Sequence, residues 1–86
     1  MNEKTEYWCV MKSAVEGTNP ARSRVSVDGD TIYIEAIYDY SFDKYNLEEL
    51  LLAAKSIGYE CAYWEIATSD NDCFEVNISF RRGEEK

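Results

Sequence analysis

A change of hydrophobic period in mid-chain constrains this fold more than any other feature. From Thr31 to Tyr40 apolar residues alternate: Ile32, Ile34, Ala36, Tyr38 and Tyr40 take one face, and Tyr33, Glu35, Ile37 and Asp39 the other. Between Leu47 and Ile57 they recur instead as Leu47, Leu50, Leu51, Ala54 and Ile57, the spacing of one face of a helix. From Cys73 to Arg81 the alternation returns, with Phe74, Val76, Ile78 and Phe80 set against Glu75, Asn77, Ser79 and Arg81. Side chains share a face every second residue in a strand and every three to four in a helix. Strands must therefore flank a helix, and the chain must fold as a mixed domain.

The rest of the chain fills in around these elements. Asp28-Gly29-Asp30, between Arg22–Asp28 and Thr31–Tyr40, predicts a hairpin turn. Asn46 with Glu49 three residues on offers a capping box for the helix, which could also begin at Asp43, and Gly58 stands where a helix-terminating glycine belongs. Glu6–Val15 reads as a strand, with Tyr7, Cys9, Met11 and Val15 on one parity and Trp8 and Val10 on the other. Tyr59–Thr68 reads as a strand of mixed parity, joined to the last strand by a turn at Ser69-Asp70-Asn71-Asp72. The expectation is an α+β fold, βββαββ, an antiparallel sheet of about five strands with one helix packed on one face. It fills a single domain, 1–86, with an ordered core of about 5–82 and charged tails at Met1–Lys4 and Gly83–Lys86. One helix cannot cover both sheet faces, so Trp8, Tyr33, Ile37 and either Tyr63 or Trp64 are expected on an uncovered face.

Several classes of function are excluded or disfavoured. Histidine is absent, which rules out Ser-His-Asp and Cys-His catalysis within the chain. Cys9, Cys61 and Cys73 are widely spaced, with no C-x-x-C pair, and read as buried free thiols rather than staples or zinc ligands, a redox or dimer-linking cysteine being the alternative. Asp70-Asn71-Asp72 opens like a calcium loop but lacks the later glycine and glutamate. The Asn77-Ile78-Ser79 sequon falls inside a predicted strand. No Gly-rich phosphate loop is present. No apolar run approaches a membrane span, and Met1–Glu6 lacks the basic start and apolar core of a secretory signal, so a cytoplasmic protein without cofactor or metal is expected.

Charge narrows the partners. The 86 residues carry a net −8, very unevenly: +1 over residues 1–27, −10 over 28–75 and +1 over 76–86. Direct nucleic-acid binding needs cations to neutralise phosphates and is disfavoured. An acidic body suits a basic protein surface instead. The leading expectation is a non-enzymatic, inhibitor-like binding protein that occupies the cationic surface of a nucleic-acid-binding protein or nuclease, a nucleic-acid mimic of the kind found among phage anti-restriction, anti-CRISPR and immunity proteins. Its candidate binding residues are Glu35, Asp39, Glu48, Glu49, Glu60 and Glu65, with Tyr33, Tyr38 and Trp64 as anchors. The alternative is a homodimeric structural or regulatory module, packed face to face through Trp8, Tyr33 and Ile37, whose acid only keeps it soluble.

Overall fold

The computed structural model describes residues 3–39, 42–68 and 73–83. The element order is α1 (Glu3–Gly17), β1 (Arg22–Asp28), β2 (Thr31–Tyr38), α2 (Lys44–Ser56), β3 (Tyr59–Thr68) and β4 (Phe74–Arg82). All neighbouring strands run antiparallel in the order β1-β2-β4-β3. The class is α+β as expected, with four strands and two helices among the described residues in place of five strands and one helix. Tyr40, the turn at 69–72, and the tail residues Met1, Asn2 and Glu84–Lys86 lie outside the described residues.

The correction concerns Glu6–Val15, which is helix and not strand. Both periods fit its apolar residues: Tyr7, Met11, Ala14 and Val15 trace a helical stripe, and these are the apolar positions of the helix buried wholly or in part, whereas Cys9 is exposed. Few β-branched residues oppose the helix, and Lys12 pairs with Glu16 one turn on at 3.8 Å. The helix ends at Gly17, with Asn19 at φ 58° and Pro20 just beyond.

The β1–β2 hairpin is as expected. Asp28 pairs with Thr31, and Gly29, at φ 60°, supplies the positive φ that a two-residue turn needs. Asp43, rather than Asn46, caps α2: its Oδ1 accepts from the N–H groups of Tyr45 and Asn46 at 3.0 and 3.1 Å. Gly58, at φ 84°, closes that helix by donating to the Lys55 carbonyl.

Both helices lie on one face of the sheet. The core between them holds Met11 and Val15 from α1, Leu50 and Ala54 from α2, and the inward residues of the strands: Val25, Ile32, Ile34, Ala36, Tyr38, Tyr59, Val76, Ile78 and Phe80. The β2–β4 register stacks these as Ile32 on Phe80, Ile34 on Ile78 and Ala36 on Val76. Two polar ties fasten the periphery. The Thr18 hydroxyl donates to the Val15 carbonyl, so the buried Tyr38 hydroxyl donates to Thr18 Oγ1, at 2.5 Å. The Arg82 guanidinium lies over the rings of Tyr7 and Tyr59 and reaches Asp30 at 3.9 Å.

Phe80 is fully buried, paired with Ile32 in the β2–β4 ladder. Phe80→Ala should cost about 3–5 kcal/mol, a large share of the roughly 5–15 kcal/mol that keeps a small domain folded, as read by urea unfolding.

Candidate functional site

Two surfaces of the sheet are left uncovered by the helices, one face and one edge. The face opposite the helices is a grid of four rows fixed by strand register. Arg22, Ile37, Glu75 and Ala67 form the first row and Arg24, Glu35, Asn77 and Glu65 the second. Ser26, Tyr33, Ser79 and Tyr63 form the third, and Asp28, Thr31, Arg81 and Glu60 the fourth. Tyr33 and Tyr63 are about half exposed, and Ile37 is 36 % exposed. The two tyrosines flank a shallow hollow of about 220 Å³ floored by Asn77 and Ser79. A second hollow of about 170 Å³ lies beside Arg22, Arg24, Glu35 and Glu75.

The two edges are treated differently. β1 is leaned on by α1: the Trp8 indole Nε1–H donates to the Val25 carbonyl at 2.7 Å, and the Lys12 ammonium lies 6.0 Å from the centre of the same ring. Trp8 therefore guards the β1 edge from the helix layer and is no part of the open face. β3 is longer, ten residues, and from Ala62 to Thr68 every residue is exposed. Between Cys61 and Tyr63 the register with β4 slips, leaving Ala62 as a bulge. This explains the mixed parity of the sequence. Cys61 sits opposite the inward Phe80, and Tyr63, two residues on, sits opposite the outward Ser79. Beyond the bulge Tyr63, Glu65 and Ala67 belong to the open face. Trp64 and Ile66 belong to the helix side, yet they are 52 % and 37 % exposed because the helices do not reach that corner.

The candidate residues divide between these surfaces. Glu35, Glu60, Glu65 and Tyr33 lie on the open face, and Trp64 on the far side of the β3 edge. Glu48 and Glu49 are exposed on α2, in the other layer. Asp39 follows β2 and accepts from the Cys73 thiol at 3.5 Å. Tyr38 is a core residue, 2 % exposed, and does not serve as a surface anchor: even parity on β2 faces it inward, beneath the helices. Sequence reading left out Ile66 as a binding candidate, because its exposure depends on where the helices stop. It also left out Arg22, Arg24, Arg81 and Glu75, whose proximity to the glutamates depends on strand order.

That strand order also redistributes charge. Arg24 stands opposite Glu35 and Arg81 opposite Glu60. The open face therefore carries three arginines among five carboxylates, although the sequence segment that supplies those carboxylates is strongly acidic. Among the described residues no ion pair joins these groups at 4 Å; the pairs are Lys12–Glu16 and Arg82–Asp30. The Tyr63 hydroxyl donates to Glu65 Oε2 at 2.5 Å. That bond, followed by partial burial and the carboxylate's own charge, pushes the Tyr63 phenol above its ordinary pKa. Burial pushes the Cys61 thiol above its ordinary pKa, against a smaller lowering by its bond to the Tyr63 carbonyl.

Among the described residues no group of three Cys, Asp or Glu side chains could hold a metal ion, and no helix is long and apolar enough to cross a membrane. Comparison with protein-family models and with curated proteins gives no match.

The Tyr63–Glu65 bond has a spectroscopic signature. Tyr38, buried, and Tyr63, hydrogen-bonded to a carboxylate, both ionise above the usual tyrosine range. Glu65→Gln should return one of these two late-ionising tyrosines towards the ordinary value and leave the other, as followed by phenolate absorbance in an alkaline titration.

Proposed function

We propose that the chain is a non-catalytic binding protein that captures an extended, basic segment of a partner protein as an added strand along β3. The observation that carries this reading is the free edge of β3, long and exposed on both sides, in a sheet whose other edge is engaged by Trp8.

An edge strand presents every second N–H and C=O to solvent, and an incoming strand satisfies them with main-chain bonds. Side chains on the two faces of the edge then set the preference. Glu60 and Glu65 stand two rows apart on the open face, about 13 Å at strand spacing, so they suit basic residues at i and i+4 of the incoming segment. Trp64 and Ile66, on the opposite side, flank Glu65 and suit apolar residues on either side of the cation that meets it. The favoured segment alternates basic and apolar residues. Its cations are drawn to a chain of net charge −8, which accelerates encounter and makes it salt-sensitive.

A basic strand is also what a nucleic-acid-binding protein offers to phosphates. Captured on β3, it is withheld from them, and that is the sense in which the protein would inhibit. No group on the chain needs to react: the work is steric and electrostatic.

The test uses peptides with Lys at i and i+4 and Val at i−1, i+1, i+3 and i+5, so that Trp64 and Ile66 each meet an apolar residue whichever way the peptide runs, against controls with Glu replacing Lys and with Pro at the central position. Calorimetry on the intact chain should show the Lys peptide binding. The Glu and Pro peptides should bind at least about tenfold more weakly, and Glu60→Lys with Glu65→Lys should weaken the Lys peptide as much. Equal binding of the Lys and Glu peptides, or no binding of either, would sink the proposal.

A further inference from the structure

The open face adjoins the β3 edge and shares Glu60 and Glu65 with it, but the charges of its other strands follow a pattern of their own. Along β1 the outward residues run Arg22, Arg24, Ser26, Asp28, from positive to negative. Along β4 they run Glu75, Asn77, Ser79, Arg81, from negative to positive. β4 lies in the interior of the sheet and β1 at its edge, and in each the opposite charges occupy the two end rows.

Such a pattern is complementary to its own rotated image. When two copies stack face to face with a two-fold axis running across the strands between the second and third rows, every strand lies over its own copy with the rows reversed. Arg22 then faces Asp28 of the other chain, and Glu75 faces Arg81. Symmetry doubles both, giving four opposite-charge pairs with no like charges directly opposed. The other face-to-face two-fold, along the strands, pairs Arg24 with Glu65 but sets Asp28 against Glu60, so two favourable contacts are matched by two unfavourable ones.

The apolar residues agree with the first arrangement. Tyr33 and Tyr63 in the third row come to lie over Glu35 and Glu65 in the second, beside the hollow floored by Asn77 and Ser79. Each phenol is thus offered a carboxylate acceptor from the other copy, of the type Tyr63 already uses within its own chain. Stacked sheets sit about 10 Å apart with their strands within about 30° of parallel, a gap and an angle that long Arg and Glu side chains span.

We infer that the open face is a homodimer interface, two sheets stacked about a two-fold axis across the strands and registered by Arg22–Asp28 and Glu75–Arg81 pairs between the copies. The size of the face sets the strength. Four strands by four rows give a footprint of about 500 Å² per copy, about 1,000 Å² in all, at the lower bound for a specific interface. The dimer is therefore concentration-dependent, forming at about micromolar concentration or above. It leaves the main-chain edges of both β3 strands free, side by side at one margin of the sandwich, so this inference goes beyond the edge-capture reading, and the charge exchange that tests it, on β4, leaves Glu60 and Glu65 in place.

The experiment is a charge exchange followed by sedimentation velocity on the intact chain, from about micromolar to about millimolar. Wild type should pass from monomer to dimer over this range. Glu75→Arg opposes two arginines across the axis twice, and Arg81→Glu opposes two glutamates twice. Each variant alone should remain monomeric while keeping the wild-type far-UV circular dichroism, since both positions are exposed. Mixed in equal amounts, the two variants should dimerise, because both cross-axis pairs are again of opposite charge. A wild type that stays monomeric at about millimolar concentration overturns the inference. So do single variants that dimerise like wild type, and a mixture that stays monomeric.

Discussion

Pairing of β2 with β4 is the constraint on which the rest of the molecule depends. It joins residues some fifty positions apart at one end of the ladder, Thr31 with Arg81, so its entropy cost must be met by many contacts forming together. Its inward pairs, Ile32–Phe80, Ile34–Ile78 and Ala36–Val76, are that return: they form the floor on which both helices rest. The same register sets Glu35 beside Asn77 and Tyr33 beside Ser79 on the other face. A slip of one residue would drive Glu75, Asn77 and Ser79 into the core, which burial forbids. The hydrophobic effect on one side of the sheet thus fixes the positions of charges on the other.

This is why the charge of the molecule looks so different from the charge of the sequence. The acidic segment spans residues 28–75, and its strands contribute Asp28, Glu35, Glu60, Glu65 and Glu75 to the open face. The arginines come from outside it: β1 precedes the segment and the end of β4 follows it. Because β1 pairs with β2, and β4 enters between β2 and β3, Arg24 and Arg81 arrive next to carboxylates that are distant in sequence. Exposed pairs of this kind contribute about 0–1 kcal/mol each to stability, so their effect is on the shape of the surface potential and on what can dock there.

How much could be read from the sequence follows from how many patterns each segment satisfies. α2, the β1–β2 hairpin and β4 each fit one period and one turn chemistry, and their bounds lie close to those expected. α1 fits two. Tyr7, Cys9, Met11 and Val15 alternate as a strand would, and Tyr7, Met11, Ala14 and Val15 also trace a helix; only the exposure of Cys9 and the stop at Gly17 to Pro20 separate the two. In β3 the bulge at Ala62 reverses the parity, so no single alternation could assign its faces. The candidate acids were identifiable as residues but not as a surface. Whether Glu48 and Glu60 share a face depends on which side of the sheet α2 packs, and Tyr38 is lost to the surface because α1 and α2 both choose its side.

Both helices pack on one face because that face alone carries continuous apolar rows. The opposite face has Tyr33, Ile37, Tyr63 and Ala67 set among eight charged side chains, too polar for a further layer of core. The β3 edge shows a similar balance. A long exposed edge with Trp64 and Ile66 beside it invites indiscriminate strand pairing, and natural sheets blunt such edges with charges and bulges. Here the bulge at Ala62 bends the strand, and Glu60 and Glu65 place two carboxylates along it. Pairing β3 with a second β3 would crowd four carboxylates onto one strand pair, whereas a basic strand would neutralise them. On the proposed reading, the same two glutamates that oppose pairing of the edge with its own copy would favour a strand of opposite charge, which is how a repulsive element confers specificity.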